Sequence, residues 1–174
     1  MPRTHLGVRL IVQALRGVPL PARTLPLCRA VPTARDPRDP SGSRGYVGRW
    51  HNPATTLALY TARVRETAIA EALDHLPSGR RQLTIAYLEA DIPALLALTD
   101  AAVSIRLPFP LERCLADSDL SPYRGAIVGD AAIAFGATAL LAPCRCGPGG
   151  CLCLYAICPN TIRLVDTESV IITP

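Results

Sequence analysis

Three groups of side chains in this sequence are suited to chemistry. The first is Gly48-Arg49-Trp50-His51-Asn52-Pro53, which closes a stretch rich in proline and glycine. Loops set on strands commonly carry binding residues, and an arginine there offers a planar fork of donors that suits phosphate. The plainer reading is a surface arginine beside a core tryptophan. The second is Glu71, within Ala68-Ile69-Ala70-Glu71-Ala72-Leu73. Glutamate is usually solvated, yet this carboxylate sits among small apolar residues. Glu66 is explained by the favourable field of a helix's first turn. The third is the run Cys144, Cys146, Cys151, Cys153, with Cys158 beyond it. Thiolates so close together could hold zinc tetrahedrally, although zinc knuckles usually space their cysteines by two or more residues. The bland alternative is a hairpin whose thiols pack as small apolar fillers. His5, His51 and His75 are scattered, and there is no Ser-His-Asp set, P-loop or Gly-x-Gly-x-x-Gly.

The elements that must position these groups read as a mixed α+β pattern in one domain. The chain has 174 residues, half of them apolar, enough for one real core. Residues 1–26 suggest a weak amphipathic helix (Val8, Ile11, Val12, Leu15) stopped by Pro19 and Pro21. Residues 32–48 read as a loop, Leu57–Tyr60 as a strand, and Ala62–Leu76 as a helix ended by Pro77-Ser78-Gly79. Alternation over Gln82–Glu89 predicts a strand, and Val103–Leu107 is read as another. Asp130 is placed as the cap of a helix running to about Leu140. Leu152–Ile157 and Val170–Thr173 are the late strands, with Gly147-Pro148-Gly149-Gly150 as the turn ahead of the first.

Charge narrows the function. All 18 basic residues are arginine, and the formal charge is +4. Arg3, Arg9, Arg16 and Arg23 precede the first acidic residue, Asp36, and from Arg29 onward 14 arginines balance 14 carboxylates. The neutral body gives no support to a phosphate-tracking nucleic-acid surface. The basic start is read as a leader or a frayed extension; Arg9 and Arg16 interrupt any secretory apolar core. No apolar run reaches membrane-spanning length. Seven cysteines without a secretory signal indicate reduced thiols and a cytoplasmic protein.

Taken in order, the pieces resemble the RES-domain family. Leu27-Cys28-Arg29, then Gly45-Tyr46-Val47-Gly48-Arg49-Trp50-His51-Asn52-Pro53, Leu59-Tyr60 and Ala68-Ile69-Ala70-Glu71 are similar to its amino-terminal half. There an early arginine precedes a Gly-Gly-Arg-Trp-Asn block, a tyrosine ending a strand, and a glutamate in the next helix. Gly129-Asp130, Leu141-Ala142-Pro143-Cys144 and Ile157-Cys158-Pro159 resemble the family's Gly-Asp helix, Pro-Ser pair and Ile-Asn-Pro turn. The resemblance covers residues 27–174 and leaves 1–26 as a basic extension. It implies an ADP-ribosyltransferase-like fold, a split β-sheet core with flanking helices. It also implies an activity: NAD consumed by hydrolysis, phosphorolysis or ADP-ribosyl transfer to protein.

On that resemblance Glu71 is the catalytic carboxylate, and Arg29, Arg49, Tyr60 and Cys144 bind NAD. Breaking the nicotinamide–ribose bond builds positive charge on the ribose, which a nearby carboxylate stabilises. Two arginines would clamp the pyrophosphate. Tyr60 offers a ring to pack on a base and a hydroxyl for ribose. NAD is then the substrate, with no cofactor and no metal. The implied partner is an antitoxin with an Xre-type DNA-binding domain, with neither nucleic acid nor membrane contacted directly. The alternatives are a protein ADP-ribosyltransferase and a non-catalytic or zinc-binding module with a degenerate NAD pocket. Two departures stand out. Cys144 replaces the family's serine, and a thiol is a weaker donor than a hydroxyl, so weaker binding rather than a dead site is expected. Val47 replaces the first glycine of the block, and His51 is inserted after the tryptophan.

Overall fold

The computed structural model describes residues 2–76, 81–116, 121–156 and 161–172. The expected Ile157-Cys158-Pro159 turn and the Pro77-Ser78-Gly79 helix stop lie outside them. Helix α1 (Pro2–Ala14) leads into β1 (Arg23–Pro32), and a loop containing a 3-10 turn (Pro40–Ser43) leads to β2 (Ala58–Ala62) and α2 (Arg65–Asp74). Next come β3 (Arg81–Ile92), β4 (Leu95–Ala97), two short helices α3 (Ala101–Ser104) and α4 (Glu112–Leu115), and the long α5 (Ser121–Phe135). Strands β5 (Ala139–Ala142), β6 (Cys151–Tyr155) and β7 (Thr161–Ile172) complete one domain of α+β type.

The strands form one sheet in the order β4-β5-β6-β2-β1-β3-β7, antiparallel except for the β4–β5 pair. The sheet is split in its middle. β1 pairs with β3 along its whole length, but it meets β2 at a single register position, Cys28 opposite Ala62. Away from that point β1 and β2 diverge, and a sheet opening between two strands leaves space for a ligand.

Each half has a reason to hold together. One apolar cluster sets Ile11 and Leu15 of the amino-terminal segment, Val128, Ala131 and Ala132 of α5, and Trp50 against Leu140, Cys153 and Tyr155. A second joins Leu27, Leu88 and Ile92 of the β1–β3 half to Leu59, Leu141, Leu152 and Leu154 of the other half. No described helical residue contributes to this second cluster, so the sheet covers its own face by folding at the seam. Alternation along β6 assigns Leu152 and Leu154 to one cluster and Cys153 and Tyr155 to the other, as the two-residue period of a strand requires.

Three expectations are corrected. The amino-terminal segment does not fray: Ile11 and Leu15 are fully buried, so α1 completes the core. Val103–Leu107 is not a strand; the Asp100 carboxylate accepts from Ala102 N and starts α3 in its place. Asp130 is no N-cap, for α5 begins at Ser121 and carries Asp130 well inside it. Among the described residues, no helix is long and apolar enough to cross a membrane.

Candidate active site

The split in the sheet opens into a cavity of about 710 Å3, within the usual range of ligand clefts. Arg29 of β1, Arg49 of the following loop, Tyr60 of β2 and Glu71 of α2 all line it. Residues as far apart in sequence as Arg29 and Glu71 thus share one cavity. Cys144 does not line the cavity itself, but it touches Glu71 from behind.

The loop wall is fixed by a chain of hydrogen bonds. The Arg29 guanidinium donates through Nη1 to the carbonyls of Pro37 (2.7 Å) and Asp39 (3.0 Å), which ties the 3-10 turn to β1. Burial pulls its pKa down to about 10, opposed by Asp39, so it keeps its charge at neutral pH. Arg49 donates to the Cys114 carbonyl at the end of α4. His51 is fully buried, with Nε2 2.9 Å from the Ser43 carbonyl and Nδ1 2.9 Å from the Tyr60 hydroxyl. A carbonyl can only accept, so Nε2 carries the proton and Nδ1 accepts from Tyr60. The Tyr60 hydroxyl in turn accepts from Trp50 N at 2.9 Å. Its proton and one lone pair are therefore committed to the loop, which leaves a single acceptor position for ribose. Burial lowers the His51 pKa and raises that of Tyr60, so both stay neutral around pH 7.

Glycines make this packing possible. A Cβ on Gly48 would lie 2.2 Å from His51 Nδ1 and 2.7 Å from the Tyr60 hydroxyl. On α5, a Cβ on Gly125 would meet the Arg49 carbonyl at 1.8 Å, and one on Gly129 the Trp50 carbonyl at 2.1 Å. The Arg49–Trp50 backbone therefore rests directly on the helix. Asp130, beside Gly129, accepts from Asn52 Nδ2 at 3.5 Å.

The opposite wall is acid and sulfur. Glu71 Oε1 accepts from Cys144 Sγ at 2.9 Å and from Cys151 Sγ at 3.0 Å. α2 is held in place by Arg65 and Tyr87, which both donate to Glu168 of β7. Thr67 Oγ1 donates to the Pro148 carbonyl at 2.8 Å, and Arg145 pairs with Asp74 at 3.0 Å, so the hairpin after β5 is pinned to α2 at two points.

Comparison with known proteins identifies the family and the fold. The family model described as the RES domain matches residues 26–172. The chain belongs to the RES domain family. Its fold is also that of a chain in the crystal structure of the M. tuberculosis MbcT–MbcA toxin–antitoxin complex, with a TM-score of 0.73 at 20% identity. That match covers 94% of this chain and 92% of the other. No curated protein matches.

Within this RES domain the structure adds residues that the sequence did not single out. His51, set aside as an insertion, is the hub between Ser43 and Tyr60, and its ring meets Tyr46 and Tyr60 edge-on at 5.9 and 5.5 Å. Its only signal was its place in the Trp-Asn block. Ser43 Oγ accepts from Ala58 N and donates to the Pro40 carbonyl, closing the loop onto β2. Cys151 shares Glu71 with Cys144, an arrangement that the hairpin geometry alone reveals. The four cysteines weighed as a zinc knuckle do not converge. Cys153 is fully buried and its Sγ lies 3.8 Å from the Trp50 carbonyl, in the core behind the site.

Proposed function

We propose that this RES domain cleaves the nicotinamide–ribose bond of NAD and acts as the toxin of a toxin–antitoxin pair. One observation carries the reading: two guanidinium groups, an aromatic ring and a carboxylate line a single cavity large enough for a dinucleotide. Family membership and a fold shared with a chain of a toxin–antitoxin complex support it.

The chemistry asks little of the protein. Nicotinamide departs as a neutral molecule from a cationic linkage, so no general acid is required. Positive charge grows on the ribose as the bond stretches, and Glu71, held by two thiol donors, stabilises it electrostatically. Arg29 and Arg49 hold the pyrophosphate, and because backbone carbonyls already orient both, little freedom is lost on binding. Tyr60 packs its ring on a base. Water, phosphate or a protein side chain then takes the ADP-ribosyl group. The partner is an antitoxin of Xre type.

Incubation of the purified chain with NAD should release nicotinamide, and Glu71→Gln should lower the rate on the order of 10^2 to 10^3-fold, the usual cost of losing one charge-stabilising group. Equal rates in the two proteins would remove Glu71 from its role. The second product identifies the acceptor: ADP-ribose for water, its 1″-phosphate for phosphate, labelled protein for a side chain.

A further inference from the structure

The sulfur–carboxylate wall has more donor atoms than the cleavage of NAD uses. The ligand atoms of Glu71, Cys144 and Cys151 all lie within 4.8 Å of one another, with Glu71 and Cys144 half-buried and Cys151 buried. Two thiols aim at one oxygen, Glu71 Oε1, at 2.9 and 3.0 Å. In a tetrahedral zinc site the sulfur–oxygen edge is about 3.6 Å, given the usual Zn–S and Zn–O lengths. Lengthening both contacts by about 0.6 to 0.7 Å, with the two sulfurs about 3.8 Å apart, would make this cluster three ligands of a tetrahedron.

We propose that Glu71, Cys144 and Cys151 bind one thiophilic divalent cation, zinc in the first instance, and that the bound ion switches the enzyme off by occupying its carboxylate. Binding replaces the two S–H protons, which leave to solvent, with one dication shared by two thiolates and a carboxylate oxygen. Water completes the fourth position. No oxidant or reductant is involved.

Three features favour the site. The hairpin is preorganised, because Ala142 pairs with Cys151 across β5 and β6 while Gly149 and Gly150 turn the chain at φ of 81° and 78°. A Cβ on Gly147 would meet Thr67 Oγ1 at 2.4 Å, so the loop lies tight against α2. Cys146 N donates to Cys144 Sγ at 3.2 Å, the kind of surrounding hydrogen bond that steadies a metal-bound thiolate.

The binding half of this proposal stands on geometry alone, whereas the inhibition half rests on the proposed role of Glu71. Reduced, metal-stripped protein titrated with cobalt(II) should develop a thiolate-to-metal charge-transfer band that saturates at one ion per chain, and zinc should displace the cobalt. Cys144→Ser and Cys151→Ser should each weaken the ion on the order of a hundredfold and lose the band, while Cys114→Ala, in the core under α5, keeps it. In the unmutated protein, one equivalent of zinc should stop nicotinamide release and a chelator restore it. The rate of Cys144→Ser, whatever its size, should no longer respond to zinc. No thiolate band in the unmutated protein, or a band unchanged by both serine variants, overturns the site. An ion bound with the rate unaffected overturns the inhibition. If the stripped protein releases no nicotinamide, the NAD reading fails and the inhibition with it, while the cobalt titration still decides the site.

Discussion

On one wall of the cavity Arg29, Arg49 and Tyr60, the last bonded to the buried His51, are anchored to backbone carbonyls and amides, whose positions the fold dictates. On the other, Glu71 is held among the described residues by two thiols, weak donors that can be exchanged for other partners. The first wall is built for fixed placement of charge, and it tolerates no added atoms. The second leaves a carboxylate that can be tuned. The difference suits the proposed chemistry, in which the phosphates must be gripped in one place while the charge beside the ribose changes during reaction.

The sharpest way to break the loop wall is Gly48→Ala. The new methyl group would overlap the His51 ring and the Tyr60 hydroxyl, so the loop must move. Overpacking of this kind costs about 2 to 3 kcal/mol. Thermal unfolding should drop by several degrees, and nicotinamide release should fall with it. An unshifted melting curve would mean that the loop has slack which the contacts do not show.

Arg29→Lys separates charge from shape on the same wall. Lysine keeps the positive charge but cannot bond the Pro37 and Asp39 carbonyls through one nitrogen while presenting a second to phosphate. The KM for NAD should rise about tenfold, which is about 1.4 kcal/mol, with kcat changed far less. A loss confined to kcat would place Arg29 at the reacting bond instead of the phosphates.

How much of this was legible in the sequence depends on what each residue answers to. β3 announced itself by alternation, decided by local pattern and one buried face; α2 was also read as a helix, although its buried residues are Thr67 and Ala68 and its apolar stripe of Ile69, Ala72, Leu73 and Leu76 is only half-buried. The order of Arg29, Arg49, Tyr60 and Glu71 pointed to one site, and these side chains do meet around one cavity. The failures share a cause. Gly125 and Gly129 weaken the helical signal of α5 because they answer to the carbonyls of a loop more than 70 residues away, so the helix was begun too late. β7 was legible only at Val170–Thr173, since Arg163, Asp166 and Glu168 make the rest of this edge strand look like a loop. His51 looked incidental because its partners, Ser43 and Tyr60, are gathered by folding.

His51 also gives the loop wall a pH dependence of its own. Burial depresses its pKa in the folded state, outweighing the Ser43 carbonyl that favours the protonated ring. The unfolded chain therefore binds the proton more readily, and stability falls as pH drops from about 6.5 to the depressed value. The slope cannot exceed about 1.4 kcal/mol per pH unit for one group. Urea unfolding between pH 5 and 7.5 should show this slope in the unmutated chain and lose it in His51→Gln. Parallel slopes would assign the acid sensitivity to another group.

The smallest expected effect lies on the sulfur wall, in Cys144→Ser. The hydroxyl restores the residue type that the family carries here and is the stronger donor to Glu71 Oε1. It is also shorter in reach, so α2 and the hairpin must close slightly to keep the 2.9 Å contact. Better donation and poorer reach oppose each other, and the donor strength should win by a small margin, giving a gain of about threefold in kcat/KM, or about 0.65 kcal/mol. Steady-state rates of nicotinamide release measure it directly. A gain far beyond tenfold would mean that the thiol had spoiled a site shaped for a hydroxyl. A loss would mean that the wall has been rebuilt around sulfur, with Cys151 completing what Cys144 began.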